Sequence, residues 1–321
     1  MPARKYREEI QLTGDLAMSV NWRSNLGLIL AASLLATASA ARAQGTAGGG
    51  QQPAASGTGG QQNSGQTPTL AGHAPADASK GNTIALDVAP PVNAEEDAAF
   101  KAFQDAPNTD ADKKIGLGEA FAQKYPQSRY LPVIYSSLTM LYLNTNQVQK
   151  MEEVGDKEVK LTPTDVQTMA ILGQTIPRAM NSSTSSAEQL KELAKAEDYS
   201  KRAIEVTPTI PKPANVTDEQ FATAKNVTLA MAHSGLGLVY VRRGKYAEAI
   251  PELDQSVKLD PTPDPVNYYL LGVANEKASH FADAADAFAK CAGLQSSMQA
   301  TCKSKAEEAK KLGNTQLSIP K

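Results

Sequence analysis

The side chains that most often carry chemistry are few and scattered in this chain. Its 321 residues include three histidines, His73, His233 and His280, and two cysteines, Cys291 and Cys302. A hydrolytic zinc site on a helix needs two histidines one turn apart with a glutamate between them. A structural zinc site needs closely spaced pairs of cysteine or histidine. Neither spacing occurs, and the Gly-x-Ser-x-Gly elbow of a serine nucleophile is also missing. The glycine run at 48–50 follows no strand and leads to no Gly-Lys-Ser/Thr, so it does not cradle phosphate. Carboxylates lie at helical spacing from lysines, as Glu188 does from Lys191, which is the pattern of a solvated helix face. Asn181-Ser182-Ser183, Asn215-Val216-Thr217 and Asn226-Val227-Thr228 fit the glycosylation sequon. Next to the bacterial-type leader described below they read as chance matches. No residue is therefore assigned to catalysis, to a cofactor or to a metal, and the chain is expected not to be an enzyme.

What remains is binding, and the elements that would support it follow from composition. The charged fraction of 21% and hydrophobic fraction of 41% suit a folded chain. A net charge of −2 gives no electrostatic reason to expect nucleic acid or an anionic membrane as partner. Residues 26–40, LGLILAASLLATASA, are apolar and uncharged, follow Arg23, and precede the small-x-small site Ala41-Arg42-Ala43. A run of that length is short for a membrane span, which needs about 20 residues. Residues 1–43 are thus read as a signal peptide, and the protein as exported to the periplasm or secreted. Cleavage after Ala43 removes Trp22, the sole tryptophan. Residues 44–92, with runs such as GTAGGGQQPAASGTGGQQNSGQ, carry too little apolar surface to offset the entropy of ordering and are expected to be a disordered tail. Within it Ile84 to Val88 is more apolar and is expected to dock on the first helix.

From Asn93 the apolar period becomes helical and stays so. Asn93 caps a run opening Ala94-Glu95-Glu96. Thr164 to Gln167, Ser186 to Gln189 and Thr217 to Gln220 have capping-box spacing, and Asp264 precedes Pro265. The helices are expected at 94–106, 110–124, 129–143, 147–160, 165–179, 187–206, 217–243, 246–259, 265–278, 281–293 and 296–312, with no strand. The last one is expected to turn Met298, Cys302, Ala306, Ala309 and Leu312 inward, followed by a flexible C-terminus at 313–321.

Internal repetition organises these helices. The stretch HSGLGLVYVRRGKYAEAIPELDQSVKLDP within 230–261 resembles the tetratricopeptide-repeat (TPR) consensus: Leu236-Gly237 and Tyr240 in the first helix, Gly244-Lys245-Tyr246 at the turn, then Ala249, Leu253, Ser256 and Pro261. Tyr268, Leu271-Gly272, Phe281, Ala284, Phe288 and Cys291 repeat the pattern in 265–296. Residues 131–163 keep Tyr135, Leu138, Tyr142 and Pro163, and 166–208 keep Leu172-Gly173, Ala196, Ala203 and Pro208. Gly173 and Ala196 are separated by nearly twice the regular interval, which predicts a loop or bulge around 177–188. The Tyr-Pro-x-Ser-x-Tyr string at 125–130 is similar to junctions in envelope TPR proteins of the outer-membrane assembly-lipoprotein type.

The resemblance implies an all-α, TPR-type α-solenoid over 93–312, about five helix pairs plus a capping helix, which holds a partner's peptide or helix in a groove lined by the first helix of each pair. Carried over residue by residue, the groove comprises Met140, Leu143, Asn144, Gln174, Ser234, Leu238, Val241, Arg242, Tyr269, Val273, Glu276 and Lys277, flanked by Val133 and Ser136. It lacks the Lys/Arg/Asn set with which some TPR proteins clamp a terminal carboxylate. In the same frame Cys291 and Cys302 face one another across a short turn and are expected to form a disulfide in an oxidising compartment, the other reading being two buried thiols. The expected function is a non-enzymatic scaffold or adaptor in the cell envelope, or else an assembly or regulatory factor of an outer-membrane or cell-wall machine. The expected partner is another protein; no nucleic acid or small-molecule substrate is expected, and the membrane is met only through the signal peptide.

Overall fold

The computed structural model describes residues 93–180, 184–214 and 216–317. The signal peptide, the tail and the docking of Ile84 to Val88 lie outside the described residues. Among the described residues eleven α-helices follow one another, with no strand. They are α1 (Ala94–Asp105), α2 (Ala111–Lys124), α3 (Leu131–Asn144), α4 (Val148–Leu161), α5 (Val166–Ala179), α6 (Ser186–Val206), α7 (Asp218–Arg242), α8 (Tyr246–Leu259), α9 (Pro265–Lys277), α10 (Phe281–Gly293) and α11 (Gln299–Leu317). The first ten form five consecutive pairs of a TPR-type α-solenoid, and α11 packs on α10.

The helix starts are fixed by side-chain oxygens that accept otherwise orphaned backbone N–H groups. Asn93 accepts from Glu95 N and Glu96 N, Thr217 and Gln220 form a reciprocal capping box, and Asp264 accepts from Val266 N at 2.9 Å. At two starts the cap is one residue away from the expected one. Asp165, not Thr164, caps α5, because its two oxygens take both the N–H and the hydroxyl of Thr168. Ser185, not Ser186, caps α6, accepting from Glu188 N.

The repetition seen in sequence is also a repetition of backbone. Asn146, Gly244 and Ser279 occupy equivalent turns between first and second helices, with φ of 57°, 71° and 65°. After each, the next N–H reaches back into the first helix: Gln147 N to Tyr142 O, Lys245 N to Tyr240 O and His280 N to Asn275 O, at 2.8–2.9 Å. This is the left-handed helix stop that satisfies terminal carbonyls. Glycine at 244 meets its φ without the strain that asparagine and serine accept at the other two turns.

Two segments differ from expectation. Both ends of the interval expected as a loop or bulge, 177–179 and 186–188, are helical, and 181–183 lie outside the described residues. α5 runs through Pro177 to Ala179, and most of the extra length is absorbed into α6, which has 21 residues against 14 in α4 and α8. The helix-period run that begins at Ser186 explains this. At the other end α11 continues to Leu317, past the expected stop at 312, and Leu312 is exposed rather than inward.

The core is in two parts that meet on α7. Ala224, Ala232 and Val239 belong to the first part, with α1 to α6. Leu238 and Val241, on the other flank of the same helix, belong to the second, with α8 to α11. Glycines permit the closest approaches. A Cβ on Gly235 would lie 2.4 Å from the Gly173 carbonyl oxygen, so α5 and α7 touch backbone to backbone. Within the last two pairs, a Cβ on Gly237 would meet Leu253 and one on Gly272 would meet Phe288, each at 2.6 Å.

Candidate functional site

The first helices are unequally covered, and this decides what can serve as a docking surface. On α3 the row Val133, Ser136 and Met140 is half-buried and Asn144 is exposed. α5 is buried on every face from Val166 to Arg178. It is enclosed by α4, α6 and the long α7, whose first turns extend beyond an ordinary first helix.

The expected groove residues divide accordingly. Asn144 and Lys277 are exposed, and Met140, Arg242, Val273 and Glu276 are half-buried. Leu143, Gln174, Ser234, Leu238, Val241 and Tyr269 are buried. Leu143, Leu238 and Val241 are core residues. The Tyr269 ring packs inside its own pair, 5.6 Å between centroids from Phe288. These six are not open to a partner, because the helices on either side close over them.

Ser234 and its surroundings form a polar network that the sequence did not reveal. Arg178, at the end of α5, sends its guanidinium across α7 to the start of α9. Nη1 donates to Asp264 Oδ2 at 2.8 Å, and Nη2 donates to Ser234 Oγ at 3.0 Å and Asn267 Oδ1 at 3.1 Å. Ser234 in turn donates to Asn267 Oδ1 at 2.7 Å, and Asn267 Nδ2 donates to Ser256 Oγ at 3.0 Å. The side chains of Arg178 and Asp264 are only 7% and 13% exposed, so water screens this pair little. Asp264 works twice, capping α9 with Oδ1 and holding Arg178 with Oδ2. The network ties the third, fourth and fifth pairs together. No local sequence signal marks it, since its members lie up to 89 residues apart.

Other charges near the first helices are placed without converging. Arg242 Nη2 donates to the Met180 carbonyl at 3.2 Å, and burial lowers its pKa from the ordinary value. Glu276 lies 3.7 Å from Lys305 of α11. His233 Nδ1 is 2.6 Å from Glu252 of α8. Between α4 and α5, burial first, and then the charge of Asp165, push the Glu158 carboxyl up to about 8. A cleft of about 310 Å³ opens among α2, α3 and α4. Its polar wall is internally paired: Tyr142 donates to Glu119 at 2.5 Å and Lys150 to the same carboxylate at 2.9 Å. Among the described residues no three His, Cys, Asp or Glu side chains are grouped to hold a metal ion. No described helix is long and apolar enough to cross a membrane. Cys291 and Cys302 are joined as a disulfide between α10 and α11, with their Cα atoms 5.7 Å apart.

Comparison with known proteins bears on the fold. The family model described as "Tetratricopeptide repeat" matches residues 230–263, the α7–α8 pair. No curated protein matches the chain by sequence. Among solved structures, TTC0263, a thermophilic TPR protein of Thermus thermophilus, is similar at 20% identity over 67% of this chain and 98% of its own, with a TM-score of 0.42. The MamA RS-1 ArsTM double mutant is similar at 16% identity, covering 71% and 99%, with a TM-score of 0.44. PilW, described as a widely conserved type IV pilus biogenesis factor, is similar at 15%, covering 70% and 89%, with a TM-score of 0.46. These likenesses are partial. The assignment of a TPR repeat rests on the matched residues, and that of the solenoid on the five helix pairs.

Proposed function

We propose that this chain is a non-enzymatic scaffold or adaptor of the cell envelope, and that it holds a peptide or helix of a partner protein on the face lined by the first helices of its pairs. TPR modules serve generally in protein interaction, and the helix pairs support that part of the reading. The observation that carries the docking site is the row on α3, where Val133, Ser136 and Met140 are partly open and Asn144 is exposed, beside a fully sealed α5. An apolar strip with a few donors at helical spacing suits an amphipathic helix or an extended segment. Export is supported by the leader at 26–43.

The test is a photo-crosslinking residue at Met140 or Asn144, compared with one at Asp286 on the exposed side of α10. A protein adduct formed from α3 and not from Asp286 is expected. The absence of an adduct from α3, or the same adduct from all three positions, overturns the docking site. N-terminal sequencing of the mature chain tests export, and retention of Trp22 overturns it.

A further inference from the structure

α4 and α6, the second helices of adjacent pairs, meet through ionisable groups. Lys195 Nζ lies 2.5 Å from Glu152 and 2.6 Å from Asp156, and the Tyr199 hydroxyl donates to Asp156 at 2.7 Å. Glu192, one turn before Lys195, is only 14% exposed, and its Oε2 is buried without a hydrogen-bond partner. It faces Glu152. Three carboxylates therefore share one enclosed ammonium. The other charges nearby do not balance them. Lys191 is 3.8 Å from Glu192 but 72% exposed, and it also faces Glu188 at the surface. Glu197 is engaged by Lys201 and Arg243. α5 packs against both helices, and its single ionisable side chain, Arg178, is directed to α7 and α9. Two enclosed carboxylates in contact repel when both are ionised; a proton on one turns the repulsion into a hydrogen bond.

The cluster sits where α6 can open without dismantling its pair. α6 exceeds α4 by seven residues, and none of the residues 186–192 is buried. Burial begins at Leu193 and continues through Ala196, Tyr199, Ser200 and Ala203. Leu190 is the most exposed large hydrophobic among the described residues, at 65%. Within these first turns Glu192 is the ionisable residue that faces α4, through Glu152.

We propose that this contact is a proton-operated clasp: a proton shared by Glu152 and Glu192 holds residues 186–192 of α6 on α4, and loss of that proton releases them. Burial first, and then Glu152, push the Glu192 carboxyl from 4.5 up to about 7, against the opposing pull of Lys195 and Lys191. A raised carboxyl pKa binds the proton to the closed form. Closing is therefore most favourable below the ordinary carboxylate range, weakens about tenfold per pH unit as pH rises, and stops weakening near neutrality.

Hydrogen exchange on the full chain tests this, with rates at pH 5 and pH 8 corrected for intrinsic exchange. Protection of 186–192 is expected to fall by about 10- to 100-fold between the two. Glu192→Gln, which supplies a permanent donor of the same shape, is expected to keep the segment protected at pH 8. Equal protection of the wild type at both pH values overturns the clasp. So does a fall of the same size in Glu192→Gln, which would place the titrating group elsewhere.

Discussion

Replacing Arg178 by Met tests whether the third, fourth and fifth pairs are coupled through the buried network. The substitution keeps most of the aliphatic stem and removes the guanidinium from Asp264, Ser234 and Asn267. It strands a carboxylate that is 13% exposed. Taking one partner from a buried ion pair costs about 3–5 kcal/mol, because the remaining charge is left without a counterion in a poor solvent. Asp264→Asn is the complementary change. It keeps the oxygen that caps Val266 N and strands Arg178 instead, with a cost in the same range. The double variant strands neither charge and should lose far less than the sum of the two. We expect a coupling of at least about 2 kcal/mol in a double-mutant cycle. The four proteins are compared by denaturant unfolding followed by circular dichroism, at low and at high salt. The coupling should persist at high salt, since a pair this enclosed is poorly screened. Additive costs, with a coupling below about 0.5 kcal/mol, would refute the network as a link between pairs.

Glu158→Gln should flatten the pH dependence of stability. The folded carboxyl is pushed up to about 8 from 4.5 by burial and by Asp165, so the folded state holds the proton more tightly and the wild type loses stability as pH rises through that window. Between pH 5.5 and 8.5 that loss is about 3 kcal/mol, and parallel pH profiles for the two proteins would contradict it. Gly235→Ala and Gly116→Ala should act in opposite directions, read as shifts in melting midpoint. At 116 there is open space and the gain in helix propensity is about 1 kcal/mol; at 235 the same gain is outweighed by overpacking of about 1–3 kcal/mol against the Gly173 backbone.

Helix positions were largely legible in the sequence because their signals are local. Asn93, Thr217 and Asp264 cap where their side chains can reach the next free N–H, and the apolar period identifies the helices between. The helix at 187–206 was legible from its period, whereas the repeat spacing alone suggested a loop around 177–188: a departure from that spacing shows that residues are added, not whether they coil. The docking surface was less legible. Consensus positions place Ser234, Leu238 and Tyr269 on the first helices, but whether such a residue faces a groove or a neighbour depends on how tightly successive pairs close. That closeness is set by Gly173 against Gly235, and the second glycine is not one of the consensus residues. Nothing local in the sequence marks Arg178, and only the folded chain brings it to Asp264.

A solenoid whose units touch only their neighbours can open at any joint with similar ease. This chain departs from that picture between its third and fifth pairs. α7 belongs to both parts of the core, so separating it from α5 disturbs both. Arg178 bonds Ser234 of the fourth pair and reaches on to Asp264 and Asn267 at the fifth, which turns three units into one block. At the C-terminal end the disulfide holds α11 on α10. The N-terminal pair is attached differently. Phe100 stacks on Tyr130 at 4.0 Å between centroids, and Asp97 accepts from the Tyr130 hydroxyl at 2.6 Å. Its ion pairs with the second pair, Arg129 with Asp97 and Lys150 with Glu119, are exposed and of the kind that contributes little to stability. Local opening should therefore concentrate at α1 and α2, next to the α3 row where a partner is proposed to dock. A partner seated on α3 would meet the most adaptable neighbouring pair of the solenoid, while the coupled block behind it keeps the docking helix in place.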